Sequence, residues 1–139
     1  MPRSENSDNK ATEIRQCLKT ILIVDDSRAI RSNLRRLLER RTNWTVCGEA
    51  ENGREAIDQA LRLRPDLILL DLSMPVMNGF EAARELKRLL PTVPILMFTT
   101  FSNAHIERQA LASGVAAVKS KEESIESLCG SIQDLLQAS

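Results

Sequence analysis

The sequence predicts an α/β fold, a doubly wound five-stranded parallel sheet flanked by five helices. Three observations carry that prediction. The runs Ile21-Leu22-Ile23-Val24, Leu67-Ile68-Leu69-Leu70 and Ile95-Leu96-Met97-Phe98 are apolar without polar alternation, the habit of parallel strands covered on both faces. Segments with apolar residues at helical spacing alternate with these runs through short connections, which right-handed crossovers wind into one sheet. The runs also stop on Asp25, Asp71 and Thr99, so the strands leave the core on polar residues at a common edge. In open parallel sheets that carboxyl edge is where ligands bind, which sets Asp71 on the functional edge and Asp66, at the other end of the same run, on the opposite one.

Taken in order, the first strand closes on Asp25-Asp26, with Ser27 as the N-cap candidate of a helix carrying Ile30, Leu34, Leu37 and Leu38 inward as far as about Arg41. Its arginines, Arg28, Arg31, Arg35, Arg36, Arg40 and Arg41, read as a solvated face. The segment Trp44 to Ala50 has the partial alternation of an edge strand. Asn52 and Glu55 have capping-box spacing before a helix whose inner face is Ala56, Ile57, Ala60, Leu61 and Leu63. Asn78 and Glu81 repeat that spacing after the third strand, and Phe80, Ala83, Leu86, Leu89 and Leu90 face inward until Pro91 stops the helix. The fourth strand, Pro94 to Phe98, ends on Thr99-Thr100. Ser102 or Asn103 caps a helix bearing Ile106, Ala110 and Leu111, with Gly114 as its C′ residue. Val115 to Val118 opens a fifth strand reaching Lys121, and the last helix follows Ser124 with Ile125, Leu128, Ile132, Leu135 and Leu136 on one stripe.

A chain of 139 residues suits one domain. Residues 1–18 are polar and weakly periodic, expected to be a mobile leader with a short helix around Thr12 to Leu18, and residues 19–139 form the domain. Lys plus Arg and Asp plus Glu number 19 each, so no overall charge draws the chain to nucleic acid or an acidic membrane. No segment approaches the roughly 20 apolar residues of a membrane span. Cys17, Cys47 and Cys129 are an odd, widely spaced set without a CxxC motif, the usage of a reducing cytoplasm.

The same alternation collects three carboxylates (Asp25, Asp26, Asp71), the Thr99 hydroxyl and the Lys121 ammonium at one edge. Crowded carboxylates repel, and protonation, a cation or Lys121 must relieve them. A hard divalent ion such as Mg²⁺ takes oxygen ligands and uses only one or two carboxylates, leaving room for a phosphoryl oxygen. Asp71 would then be a nucleophile forming an acyl phosphate, faced by Thr99 and Lys121. Lys119 is a rival for Lys121 but reads as solvated. Ser27 reads as a cap, His105 as a surface residue and Cys47 as a small core residue.

These motifs, Asp25-Asp26 after ILIV, Asp71 within LILLDLSMPVMNG, Thr99 within ILMFTTF, and Lys121 seven residues after Gly114, resemble those of bacterial two-component response-regulator receiver domains over about residues 19–138. The resemblance implies the flavodoxin-like strand order 2-1-3-4-5 and a phospho-accepting switch. It implies that Asp71 takes phosphate from a sensor histidine kinase or phosphotransfer protein, that Asp25, Asp26, Asp71 and the Ser73 carbonyl hold Mg²⁺, and that Thr99 and Lys121 sense the phosphoryl group. Such a domain catalyses its own phosphorylation and dephosphorylation and is not a turnover enzyme on outside substrates. Its output partner is unnamed, with homodimerisation on phosphorylation left open. The segment TTFS resembles receivers usually joined to a helix-turn-helix DNA-binding domain, which this sequence does not contain.

Several positions depart from the family pattern. Glu122 follows Lys121 where the family often has proline, so a trans bond is expected, because a cis non-proline bond costs roughly 3–4 kcal/mol. Val118 stands in place of the switching aromatic. Ser73 and Phe101 line the approach of the attacking water, and the bulk of Phe101 is expected to slow hydrolysis. Competing readings are a Mg²⁺-dependent phosphatase or mutase, which typically has a second aspartate where Ser73 stands, an unphosphorylated scaffold, and a flavodoxin-like cofactor carrier. The last requires a phosphate-binding first turn instead of an acidic one.

Overall fold

The computed structural model describes residues 18–100 and 102–138; residues 1–17 of the leader, with Cys17 and most of its expected short helix, and Phe101 lie outside the described residues. Ten elements alternate: β1 (Thr20–Val24), α1 (Arg28–Arg41), β2 (Thr45–Ala50), α2 (Gly53–Leu63), β3 (Leu67–Leu70), α3 (Gly79–Leu89), β4 (Ile95–Thr99), α4 (Ala104–Ala112), β5 (Ala117–Ser120) and α5 (Ile125–Ala138). The sheet runs β2-β1-β3-β4-β5 with every pairing parallel, as expected.

Side-chain alternation along the strands builds two cores. Leu22, Val24, Ile68, Leu70, Ile95 and Met97 face α2, α3 and α4 with Ala56, Ala60, Ala82, Ala83, Leu86 and Ala110. Ile21, Ile23, Leu67, Leu69, Leu96 and Phe98 face α1 and α5 with Leu34, Leu38, Leu128, Ile132 and Leu136. Each large side chain sealed here contributes about 1.5–3 kcal/mol. The first core is alanine-rich on its helices; the second is filled by long side chains.

Caps set the helix starts. Ser27, Asn52, Asn78 and Asn103 each accept the amide three residues on, so Asn103 and not Ser102 caps α4. Only at Asn78 is the reciprocal half of a capping box formed, by Glu81; at Asn52 the side chain accepts from Glu55 without that return bond. α2 ends on Arg64 in the left-handed region (φ 48°) ahead of Pro65, and α4 ends with Gly114 at φ 98°.

β4 and β5 begin later than the sequence predicts. Pro94 has no N–H to donate and contributes only its carbonyl, to the Ile68 amide at 3.0 Å, before β4 begins. Val115 closes α4 by donating to the Ala110 carbonyl, so β5 starts two residues later and ends at Ser120, just before Lys121.

At the β1–β2 pair the register slips by one residue, Ile21 opposite Val46 and Leu22 opposite Gly48, leaving Cys47 bulged. Strict alternation would put residues 46 and 49 on opposite faces. The bulge instead turns both Val46 and Glu49 toward α1.

Candidate functional site

β1 and β3 lie side by side, Val24 in register with Leu70, so Asp25 and Asp71 leave the core together. Both are buried, at 2 % and 5 % exposure, while Asp26 beside them is exposed. One carboxylate oxygen from each of Asp25, Asp26 and Asp71 lies within 4.8 Å of the others. Lys121 Nζ donates to Asp25 Oδ2 at 2.6 Å and stands 3.4 Å from Asp71 Oδ1. Its amide donates to the Thr99 carbonyl at 2.8 Å, which ties the lysine to the end of β4, where Thr99 is 2 % exposed.

The backbone around the acids is as firmly held. The Asp25 amide donates to the Ala50 carbonyl at 3.0 Å and the Asp71 amide to the Val24 carbonyl at 2.9 Å. Asp25 Oδ1 accepts the Ser27 amide and Asp71 Oδ1 the Leu72 amide, both at 2.9 Å. Gly79 closes the loop after β3: its amide donates to the Leu72 carbonyl at 2.8 Å, and a Cβ there would lie 2.4 Å from the Asp71 carbonyl oxygen. Ser73 is exposed in that loop, and Met77 within it accepts the Gly53 amide at 3.1 Å, joining it to the start of α2.

Burial, and next the charge of Asp25, raises the Asp71 carboxyl from 3.8 to about 6 against the opposing pull of Lys121. Burial alone would lower the Lys121 ammonium, but the bond to Asp25 and the charge of Asp71 outweigh it and hold it above its ordinary value. Three carboxylates against one ammonium leave an excess of negative charge on hard oxygen donors. That donor set fits a divalent cation of the Mg²⁺ type.

The structure therefore brings together Asp25, Asp26, Asp71 and Lys121, with Thr99 bound through its backbone. Lys119 is not solvated as expected: its Nζ reaches Glu123 Oε1 at 3.5 Å and Ser127 Oγ at 3.2 Å, on the α5 side and away from the acids. Nor is the α1 arginine face wholly solvated. Arg31 and Arg35 each donate through Nε to Glu49 at 2.9 Å, Arg31 Nη1 donates to the Asp25 carbonyl at 2.6 Å, and Arg41 pairs with Glu126. Sequence reasoning missed this cluster because only the Cys47 bulge turns Glu49 toward α1.

Leu61, expected on the inner face of α2, is instead exposed, and Cys47, expected as a core residue, is only partly covered at the β2 bulge. Asp66 accepts the Thr20 amide at 2.8 Å at the far edge, and no described peptide bond is cis, Lys121–Glu122 included. His105 is exposed. Cys47 is half-buried, its Sγ 3.6 Å from the Ile21 carbonyl oxygen. Burial pushes the Cys47 and Cys129 thiols up, the opposite of an activated nucleophile. Val118 is half-buried against the first core and borders a cavity of about 210 Å³ with Glu107, Leu111 and Ala117. No helix among the described residues is long and apolar enough to cross a membrane.

Comparison with known proteins agrees with this geometry. The sequence model of the response regulator receiver domain matches residues 21–133. The transcriptional regulatory protein YdfI of Bacillus subtilis is 39 % identical over 111 residues, 80 % of this chain and 52 % of that protein. The chain spans about half the length of the first such relatives. A LuxR-family two-component response regulator from an Aurantimonas species superposes with a TM-score of 0.84 at 29 % identity, covering 87 % of this chain and 86 % of that one. The chemotaxis protein CheY4 of Vibrio cholerae gives 0.79 at 32 % identity, covering 85 % and 98 %. With an acid cluster at the carboxyl edge of a 2-1-3-4-5 sheet and a family match across most of its length, the chain belongs to the response-regulator receiver domains of phosphorelay signalling.

Proposed function

We propose that Asp71 is the phosphoacceptor of this receiver, with Asp25, Asp26 and the Ser73 carbonyl joining it in holding Mg²⁺. The observation that supports this most is the surplus of carboxylate at one rim: two buried aspartates and an exposed one share a single nearby ammonium, and the buried pair directly follows adjacent strands. An Asp71 oxygen attacks the phosphorus of a phosphohistidine on a sensor histidine kinase or phosphotransfer protein. The P–N bond breaks, the imidazole departs, and an acyl phosphate remains on Asp71. When bound, Mg²⁺ supplies charge compensation for the phosphoryl oxygens. Lys121 and the Thr99 hydroxyl compensate the remaining oxygens. In hydrolysis, water attacks the same phosphorus, the P–O bond to Asp71 breaks, and carboxylate and inorganic phosphate result.

Asp71 is the only group asked to carry the phosphoryl; the chain acts on itself and on no outside substrate. Drawing Thr99 and Lys121 toward the phosphoryl group shifts the population of the surface formed by α4, β5 and α5, which an output partner reads. Residues 19–139 constitute the switch, and residues 1–18 a leader outside it.

Incubation with acetyl phosphate and Mg²⁺ followed by intact-protein mass measurement tests the reading. One phosphoryl adduct is expected on the wild type and none on Asp71→Asn or in excess chelator. Adduct persisting on Asp71→Asn, or catalytic turnover of free phosphate esters, would refute it.

A further inference from the structure

Glu49 sits opposite Ile23 on the α1 face of the sheet, turned there by the Cys47 bulge. Its two carboxylate oxygens separately accept Arg31 Nε and Arg35 Nε at 2.9 Å. Arg31 is largely covered, its side chain 12 % exposed, and extends past Glu49 to donate Nη1 to the Asp25 carbonyl at 2.6 Å. The amide of Asp25 is already bound to the Ala50 carbonyl at 3.0 Å. Both peptide units flanking Asp25 are thus fixed to the end of β2, one directly and one through the Glu49–Arg31 pair.

We infer that Arg31, oriented by Glu49, is a positioning residue for the divalent-cation site: it holds the peptide between Asp25 and Asp26 and thereby aims the Asp26 carboxylate. The inference rests on the metal reading proposed above. A peptide unit is planar, so a bond to the Asp25 carbonyl also fixes the nitrogen of Asp26 at the other end of the plane. Asp26 needs such a constraint, because its side chain is exposed and no hydrogen bond from the described residues holds its carboxylate. Arginine suits the task. Its planar fork presents Nε to one acceptor and Nη1 to another at a set spacing, whereas a lysine ammonium is a single point that cannot span both.

The sign of the effect separates positioning from charge. Removing a cation near the acids would by itself strengthen Mg²⁺ binding; loss of positioning weakens it. The test is a calorimetric Mg²⁺ titration of the unphosphorylated chain, paired with the Mg²⁺ dependence of its phosphorylation by acetyl phosphate. For Arg31→Met the dissociation constant should rise about tenfold, as for other groups that orient metal ligands without touching the ion, while the rate at saturating Mg²⁺ stays within about twofold. Arg31→Lys, which keeps the charge but not the fork, should shift the constant in the same direction. Arg36→Met, which removes an exposed charge from the same helix, should not weaken binding.

Unchanged or tighter Mg²⁺ binding in folded Arg31→Met overturns the inference. Where that variant does not fold, Arg31→Lys decides by the same criterion. Absence of Mg²⁺ binding by the wild type refutes the metal reading and this inference with it, while wild-type binding that the variants leave unaltered refutes this inference alone.

Discussion

Lys121 Nζ lies 2.6 Å from Asp25 Oδ2, closer than to the proposed phosphoacceptor itself. The side chains are 15 % and 3 % exposed, so the pair is shielded from water and is a structural brace for the acid cluster as well as a group poised over it. Replacing Lys121 by Met leaves two buried carboxylates without their cation. In chelator the variant should lose about 3 kcal/mol in urea unfolding, and saturating Mg²⁺ should recover part of the loss. A stability equal to wild type in chelator would remove the brace.

The raised carboxyl of Asp71 makes metal-free stability depend on pH in an unusual direction. Between about 4 and about 6 the folded chain keeps a proton on Asp71 that the unfolded chain releases, so this group's contribution falls as pH rises through that window and stays low above it. Asp71→Asn removes the penalty. In chelator it should be more stable than wild type by on the order of 2 kcal/mol near neutrality, with the difference vanishing as the pH falls toward about 4. Paired denaturation curves across pH measure it; a gap that widens in acid contradicts the assignment.

Gly79 is required by space and not by backbone conformation. A methyl there would sit 2.4 Å from the Asp71 carbonyl oxygen and 2.8 Å from Leu72 Cα, and neither backbone atom can swing aside. Gly79→Ala should cost about 1–3 kcal/mol and slow phosphorylation by acetyl phosphate. A neutral effect on both would show that the loop after β3 is softer than its hydrogen bonds indicate.

Val76, in that loop, has φ 69° and is 78 % exposed, so a β-branched side chain is held in the left-handed region with little packing in return. Val76→Asn, a residue that tolerates this conformation, should raise thermal stability by about 0.5–1 kcal/mol. A lower melting temperature would indicate contacts that offset the strain.

The sheet, its order and the acid rim were legible because they follow from one-dimensional signals. Ile21 to Val24 and Leu67 to Leu70 read as doubly covered strands, and parallel pairing then carries Asp25 and Asp71 to the same edge without further information. Strand order came from family resemblance and not from pattern. What escaped was set by tertiary detail. Residue type does not separate Arg31 from Arg36, and only a single extra residue in β2, Cys47, puts Glu49 under the first of them. Lys119 and Lys121 differ by two positions, yet one follows β5 toward Ser127 and the other, past the strand's end, turns to Asp25.

The bond from the Lys121 amide to the Thr99 carbonyl has a mechanical meaning. It fastens the residue just past β5 to the last residue of β4, so the hydroxyl and the ammonium stand on one shared backbone support. In the switch proposed above, a displacement at either residue would reach the surface beside β5 through this one bond.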